Sequence, residues 1–368
     1  MRLNPSIAVI RGDGIGGDVI NSALRVMEVA LRRVGVSMPK LDDIHAGAGY
    51  FATEGIDIEP GGEERAGQAD AIFLGAIGLP SIRHHDGTEI SPHLRLRDRF
   101  GLYAGVRPVK AYPNAPQKLS APEAAGINLV LIRESTEGLF YTAAVHGRSK
   151  IDGDNAVEET MRITRSTTEK LHRFAFRLAE KRRQRGFQGK VTCVDKANVF
   201  NAMAFFRKIF DEVKSEFPTV ETGYQYVDAM ALELIRQPWN FDVLVTENMF
   251  GDILSDLAAG LVGGMGMASC GEIGDTTGLF QPAHGSAPDI MGQDKANPLA
   301  TILSAALMLD YLTEKTGQSP YANAAHIIEK AVEQGFSDHA LRPIEFGGDM
   351  GTKAITETLC SLCKNATA

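Results

Sequence analysis

The sequence predicts an α/β fold. Short apolar runs alternate with amphipathic helical stretches along the chain, and this alternation is typical of α/β proteins. A length of 368 residues is long for one compact core, so two domains or one large elaborated α/β unit are expected. The sequence shows no internal repeat and no low-complexity segment.

The individual elements follow from the spacing of apolar residues. The run SIAVI at 6–10 predicts a strand, and 18–34 predicts a helix because its apolar residues recur at helical spacing. The later segments continue the alternation. They are strands at 69–78, 127–134 and 190–199, a helix at 166–185, a strand, turn and helix at 241–262, and an apolar helix at 297–312.

Two stretches are the best candidates for domain boundaries. One is the Pro-rich segment 107–122, and the other is the Gly-rich segment 260–275. Two crossings would insert the middle of the chain into a domain made from both ends. We therefore predict a large domain from 1–106 and 264–368, and a smaller domain from 107–263.

Composition excludes several classes of protein. The net charge of −8 argues against nucleic acid as a partner, since such proteins need a positive surface. No apolar run is long enough to cross a bilayer, so no membrane partner is expected. The four scattered cysteines fit a reducing compartment, and the first strand leaves no room for a signal peptide, so we expect a cytoplasmic protein.

The stretch IRGDGIGGDV contains a G-x-G-x-x-G pattern through Gly12, Gly14 and Gly17. Such a loop between a strand and a helix can hold the phosphates of a dinucleotide. The same glycines can equally serve a tight turn from strand to helix. The motif alone leaves both interpretations open.

Two carboxylates in VTENMFGDILSD are spaced for one face of a helix. Asp252 and Asp256 lie four residues apart, which disfavours the helix unless a cation lies between them. Mg²⁺ and Mn²⁺ prefer such oxygen ligands. The alternative is that Asp252 complements the helix dipole and Asp256 faces water.

Arginines gather in HLRLRDRFGLYAGVRP and at the end of the strand NLVLIR. The guanidinium of arginine grips a carboxylate with two parallel hydrogen bonds. Arg97, Arg107 and Arg133 therefore suggest an anionic, dicarboxylic substrate, whereas Arg95 and Arg99 fit a role in surface solubility.

Lys196 and the long segment 281–298 complete the candidate chemistry. A lysine beside a metal ion and arginines loses its proton more easily, as a general base requires. Long loops in compact domains tend to be functional. Within this loop, Asp289 could accept hydrogen bonds from both ribose hydroxyls of NAD and would repel the extra phosphate of NADP.

Taken together, these segments resemble the β-decarboxylating dehydrogenases, which include isopropylmalate, isocitrate, homoisocitrate and tartrate/D-malate dehydrogenases. The resemblance runs in the family's order through most of the chain. It is carried by GDGIGGDV, LRLRDRFGLYAGVRP, IRESTEG, DKANV, YVDAMALELI, ENMFGDILSD, HGSAPDI and ANPLATILSAALML. It implies a two-domain fold like that of isopropylmalate dehydrogenase, in which the opening glycines form a turn rather than a phosphate cradle.

The resemblance also implies roles for the charged residues. Arg97, Arg107 and Arg133 match the arginines that hold the substrate's carboxylates. Asp252 and Asp256 match ligands of Mg²⁺ or Mn²⁺. The resemblance implies a homodimer in which the partner subunit supplies Asp228 as a third ligand and Lys196 as the base.

Further matches concern the cofactor NAD and the variable group of the substrate. Asn198 would approach the nicotinamide, and Ile15 of the opening loop would come near the cofactor. The segment EISPHL would face the variable group through Ser91 and Leu94, with Val199 as an apolar contact. The adenosine side of NAD would be contacted by His284, Gly285, Ser286, Ala287, Asp289, Ile290 and Asn297.

Two positions depart from the family pattern. Phe140 stands where the family carries the tyrosine that protonates the enol carbon, and phenylalanine donates no proton. Tyr141 follows one residue later, so Tyr141 reaching in, water, or slow or absent decarboxylation are the alternatives. Gln281 replaces a glutamate near the nicotinamide side.

The leading expectation is an NAD-dependent oxidation, with decarboxylation, of a 3-substituted malate such as 3-isopropylmalate. Tartrate, D-malate, isocitrate or homoisocitrate is the alternative substrate. An enzyme that only oxidises and a non-catalytic regulatory subunit are the alternative functions. The complete set of aspartates and Lys196 disfavours the regulatory subunit, because such a cluster of like charges is costly without a catalytic use.

Overall fold

The computed structural model describes residues 4–142 and 149–366. Its strands are β1 (Ser6–Gly12), β2 (Lys40–Asp43), β3 (Ala71–Ala76), β4 (Ala104–Lys110), β5 (Asn128–Glu134), β6 (Lys150–Asp152), β7 (Ala156–Glu158), β8 (Val191–Asp195), β9 (Thr222–Tyr226), β10 (Val243–Thr246), β11 (Ser269–Ile273) and β12 (Gly278–Pro282). Its α-helices are α1 (Gly16–Arg33), α2 (Ala48–Glu54), α3 (Gly62–Gln68), α4 (Pro92–Arg99), α5 (Arg165–Gln184), α6 (Asn201–Lys214), α7 (Val227–Arg236), α8 (Asn248–Leu261), α9 (Leu299–Thr316), α10 (Ser319–Ser337) and α11 (Thr352–Asn365).

Ten strands form one sheet in the order β2-β1-β3-β12-β11-β4-β5-β10-β8-β9. The strands β2, β1, β3 and β12 run parallel to one another, as do β5, β10, β8 and β9. Between these two blocks, β11 and β4 pair antiparallel with each other and with their outer neighbours. The two parallel blocks therefore run in opposite directions, and the turns at their carboxyl ends form two separate clusters.

The predicted α/β alternation is confirmed, with boundaries shifted by a few residues. The predicted helix at 18–34 is α1, the helix at 166–185 is α5, and the unit at 241–262 is β10 followed by α8. In α1 the apolar residues at helical spacing, among them Ile20, Ala23 and Met27, are buried against α9 and α11. Apolar periodicity predicted these helices correctly because each helix buries one apolar face.

The predicted division into domains stays a prediction, although the sheet bears on its boundaries. The block of β2, β1, β3 and β12 comes from both ends of the chain, and the block of β5, β10, β8 and β9 comes from its middle. The boundary after 106 falls inside β4 rather than in a linker. Pro108 fits this strand because β11 pairs only with 104–106, so its missing N–H leaves no gap on that side.

The opening glycines form a tight turn between β1 and α1. Gly12 and Gly14 have φ values of +72° and +54°, and a Cβ on either would overlap a backbone oxygen, of Ala76 or of Ser286. Glycine adopts this conformation without steric cost. The expectation of a strand-to-helix turn is therefore confirmed.

Asp13, at the centre of this turn, is buried and accepts three backbone hydrogen bonds. Its carboxylate oxygens lie 2.8 Å from the nitrogens of Ala48 and Gly49, at the start of α2, and 2.7 Å from the nitrogen of Gly78. A carboxylate of the chain thus occupies donors at the first turn of α2. The sequence alone did not indicate this role, because the partners of Asp13 lie more than 30 residues away.

None of the helices in 4–142 and 149–366 is long and apolar enough to cross a membrane.

We predict opposite effects of alanine at two glycines of the opening motif. Gly12→Ala should lower the free energy of unfolding by roughly 1–3 kcal/mol or more, because alanine disfavours a positive φ and its Cβ meets Ala76. Gly17 lies in the first turn of α1 with open space around its Cα. Gly17→Ala is the matched control, and should be neutral or stabilising by up to about 1 kcal/mol. Denaturant unfolding measures the free energy of unfolding of both variants. Equal destabilisation by the two substitutions would contradict the explanation that the turn requires glycine at position 12.

Candidate active site

Three buried arginines converge where α4, β4 and β5 meet. Arg97 lies in the last turn of α4, Arg107 in β4, and Arg133 near the end of β5. Each has at most 6% of its surface exposed. Since arginine is rarely buried without a partner, this cluster is a site for negative charge.

Arg133 is held in place by the start of α8. Its Nε and Nη2 donate to Oδ1 of Asn248, at 3.0 and 2.7 Å, and its Nη1 is paired with Asp252. The ring of Phe140 lies 5.1 Å from the guanidinium carbon. Asn248 thus positions Arg133, a role that the sequence alone did not indicate because 115 residues separate the two.

Arg97 and Arg107 share one carboxylate of the chain. Oε1 of Glu272, in β11, lies 3.2 Å from Nη2 of each arginine. Burial alone would raise the pKa of Glu272, but Arg97, Arg107 and Arg133 outweigh it and lower this pKa to about 2. Glu272 is therefore ionised between its arginines.

The cluster nevertheless carries more positive than negative charge. Burial, together with the neighbouring charges of Arg107 and Arg97, lowers the pKa of Arg133 to about 10. Nε of Arg97 and Nε of Arg107 are buried and have no hydrogen-bond partner among the described residues. A carboxylate would supply both the missing charge and the missing acceptors.

The two aspartates lie on one face of α8, beside the arginines. The predicted helix start near Phe250 is observed at Asn248, where the side chain of Glu247 caps the helix. Burial and the neighbouring Asp252 raise the pKa of Asp256. Among the described residues, no three His, Cys, Asp or Glu side chains are grouped closely enough to hold a metal ion.

Lys196 and Asp228 form a second polar group, beyond the end of β8 and at the start of α7. Nζ of Lys196 lies 2.5 Å from Oδ1 of Asp228, whose side chain is exposed. Asn198 is also exposed, and 60% of the surface of Val199 faces solvent. Within residues 4–142 and 149–366, no hydrogen bond or ion pair joins these residues to the arginine cluster.

The segment predicted to face the variable group of the substrate leads into α4. Ser91 directly precedes it, Leu94 is half-buried in its first turn, and Arg97 follows one turn later. Residues three apart share a helix face, so Leu94 and Arg97 lie on the same side. Arg95 and Arg99 instead form surface ion pairs that include Glu63, as expected for solubility.

The predicted cofactor loop packs against the opening turn. Ser286 donates through its hydroxyl to the oxygen of Gly78, and its own oxygen accepts from the nitrogen of Ile15 at 2.8 Å. Ala287 and Ile290 pack against Ile15. The carboxyl ends of β1, β3 and β12 therefore hold this loop in place.

The polar residues of this loop differ in their freedom to bind a ligand. Nδ1 of His284 contacts the oxygen of Gly285, while its Nε2 is buried without a partner among the described residues. Asp289 is exposed. Asn297 is engaged, since its amide donates to Glu345 at 2.8 Å and its oxygen accepts from the start of α9.

Two ring contacts show where Phe140 and the neighbouring Tyr141 lie. Phe140 faces Arg133, whereas the ring of Tyr141 lies 4.7 Å from the guanidinium carbon of Arg162. Adjacent residues thus contact different arginines. The predicted catalytic role of Tyr141 stays a prediction.

Comparison with known proteins places the chain among dehydrogenases. The family model described as isocitrate/isopropylmalate dehydrogenase matches residues 6–359. A 3-isopropylmalate dehydrogenase of Moorella thermoacetica is 42% identical over 310 residues, covering 83% of this chain and 85% of that protein. A 3-isopropylmalate/3-methylmalate dehydrogenase of Methanocaldococcus jannaschii is 40% identical over 354 residues, covering 95% and 96%. The crystal structure of isocitrate dehydrogenase from Methylococcus capsulatus matches with a TM-score of 0.83 and 32% identity, covering 98% of this chain and all of that chain.

A buried acid beside the cluster predicts a pH dependence of stability. Burial raises the pKa of Glu134 from 4.5 to about 7, against hydrogen bonds from Thr136 and Glu137. Because the folded state favours the protonated form, stability should fall by roughly 3 kcal/mol as the pH rises from about 4.5 to about 7. Glu134→Gln should remove this part of the slope, as measured by denaturant unfolding at several pH values. The exposed Glu123→Gln is the control, and a wild-type slope in Glu134→Gln would contradict the assignment.

Proposed function

The chain belongs to the isocitrate/isopropylmalate dehydrogenase family, and on that premise we propose that it oxidises and decarboxylates a 2-hydroxy dicarboxylic acid with NAD. 3-Isopropylmalate is the first candidate substrate, because relatives about 40% identical carry that name. The observation that carries the proposal is the convergence of three buried arginines beside Asp252 and Asp256.

The arginines hold the substrate in this proposal. The unpartnered Nε donors of Arg97 and Arg107 would bind one carboxylate, and Arg133 would orient the same end of the molecule. Leu94 and Ser91 lie toward the start of the same helix and would contact the variable group, with Val199 as an apolar contact from the partner. Fixing the substrate in this way lowers the entropy cost of reaching the transition state.

The donor set on α8 fits a hard divalent cation such as Mg²⁺ or Mn²⁺. Asp252 and Asp256 offer carboxylate oxygens on one helix face, which is the chemistry these ions prefer. When bound, the ion would acidify the 2-hydroxyl and stabilise negative charge during decarboxylation. Because the described part of one chain groups no third ligand there, the proposal needs Asp228 of the partner subunit.

Lys196 is the proposed base for the hydroxyl proton. Its Nζ lies beside Asp228 and 5.8 Å from the centre of the Tyr226 ring. These two contacts hold the ammonium group in place. The partner subunit's Lys196 would reach the substrate together with that subunit's Asp228. Both residues then enter the site as one group.

The surface of the chain supports a homodimer. Large apolar side chains are exposed near Lys196 in sequence and on α7 and α8. They are Val199, Phe200, Leu232, Ile235 and Ile253. Exposed apolar side chains of this size are candidates for an interface between proteins. A second copy packed here would cover them and bring Lys196 toward the other copy's α8.

The cofactor loop fits NAD in part. Nε2 of His284 is free to hydrogen-bond to a ligand, and the exposed carboxylate of Asp289 suits a ribose with two free hydroxyls. Asn297 already binds Glu345, so its proposed contact with adenine requires that bond to open or be shared. NAD would accept the hydride from the substrate carbon, and Asn198 would lie near its nicotinamide.

We predict that a panel of 2-hydroxy diacids with Mn²⁺ will show NAD reduction fastest with 3-isopropylmalate. NADP should be at least about tenfold poorer, because Asp289 repels its extra phosphate. The yield of CO₂ should equal that of NADH. Initial rates and a CO₂ assay measure all three.

Each alternative gives a distinct result in this assay. No NADH with any substrate would favour a regulatory subunit, and a CO₂ yield well below that of NADH would favour an enzyme that only oxidises. A preference for NADP would contradict the role given to Asp289.

We further predict that two inactive variants restore activity when they form mixed dimers. Lys196→Ala and Asp252→Asn should each lower kcat by at least about 10²-fold. A mixed dimer has one complete site, so random pairing should recover roughly a quarter of wild-type activity. The matched control is Asp252→Asn with Asp256→Asn, which damages both sites of every dimer. Equal inactivity of both mixtures would refute a shared site.

A further inference from the structure

Glu272 lies at the centre of the arginine cluster without being one of the residues proposed to hold substrate or metal. Its side chain is fully buried, with 0% exposed. Oε1 lies 3.2 Å from Nη2 of Arg97 and 3.2 Å from Nη2 of Arg107, and accepts from the thiol of Cys270 at 3.5 Å. The carboxylate thus accepts a hydrogen bond from Arg107 and forms an ion pair with Arg97.

The strand opposite Glu272 leaves room for this carboxylate. Glu272 is the register partner of Gly105 in the antiparallel pair of β11 and β4. A Cβ at Gly105 would lie 2.9 Å from Oε2 of Glu272 and 2.7 Å from the hydroxyl oxygen of Ser135. Any larger residue at 105 would push the carboxylate away, so Glu272 is a built part of the site.

The charges around Glu272 set how many anions the arginine pair can accept. Arg97 and Arg107 bring two positive charges, and Glu272 cancels one of them. Arg133 is matched separately by Asp252. The Arg97–Arg107 pair therefore retains one net positive charge and two unpartnered Nε donors, which is the complement of a single carboxylate.

We propose that Glu272 is a specificity-determining residue that limits this pocket to one substrate carboxylate. It would exclude 2-hydroxy acids with a third carboxylate and favour those whose variable group is uncharged. This inference rests on the proposed function, since it takes the arginine pair as the substrate's anion site. A third carboxylate would enter beside a buried negative charge, where repulsion is strong because the surroundings screen it poorly.

The first test compares substrates in the wild type and in Glu272→Gln, which keeps the size of the side chain and removes its charge. With NAD and Mn²⁺, the ratio of kcat/KM for isocitrate to that for 3-isopropylmalate should rise at least about tenfold in the variant. The matched control is Glu63→Gln. Glu63 also bridges two arginines, Arg95 and Arg99, but this group lies on the surface. The ratio of kcat/KM values in Glu63→Gln should therefore stay at the wild-type value.

The second test measures binding without turnover, by calorimetry on the full-length protein with Mn²⁺. Tricarballylate should bind the wild type at least about tenfold more weakly than succinate, and Glu272→Gln should reduce this difference at least about tenfold.

Equal binding of both acids to the wild type, binding of neither, or an equal change for both in the variant would overturn the proposal. If no hydroxy acid is oxidised, the proposed function fails, while the binding ratio still decides the role of Glu272. If the variant does not fold, the wild-type ratio decides it.

Discussion

The burial of three guanidinium groups beside one another is the constraint on which the site depends. Charges removed from water must be paired, because each unpaired buried charge destabilises the folded state by several kcal/mol. The chain meets part of this demand with Glu272 and Asp252 and with the amide oxygen of Asn248. What remains is one buried positive charge that a single carboxylate of a bound substrate would balance.

This constraint also explains two glycines to which the sequence patterns assigned no role. A Cβ at Gly251 would lie 2.7 Å from the side chain of Arg133, so only glycine lets α8 pack directly on that arginine. The same contact places Asp252, the next residue, within reach of the guanidinium. Gly105 plays the equivalent part for Glu272. Close approach of backbone to charged side chain therefore fixes where the acids lie.

The sequence predicted the features that depend on local spacing. The strands and helices followed from apolar periodicity, and the common face of Asp252 and Asp256 followed from their separation of four residues. It did not predict Glu272, Asn248 or Asp13, because each acts through partners brought close only by the sheet. A buried glutamate in a strand is a signal in principle, but the sequence does not show which arginines face it.

The constraint extends from one chain to the proposed dimer. Lys196 and Asp228 lie beside exposed apolar side chains, among them Val199 on the lysine loop and Leu232 on α7. An interface that buries these apolar groups also removes water from the lysine and the aspartate. For the ammonium group of Lys196, that loss is offset only if the other copy presents acidic groups, and Asp252 and Asp256 on α8 are such groups. Asp228 instead needs the cation that the three aspartates would share. Association and catalysis would then depend on the same arrangement, because the proposed cation and the acids of both copies would meet at the point where the substrate binds.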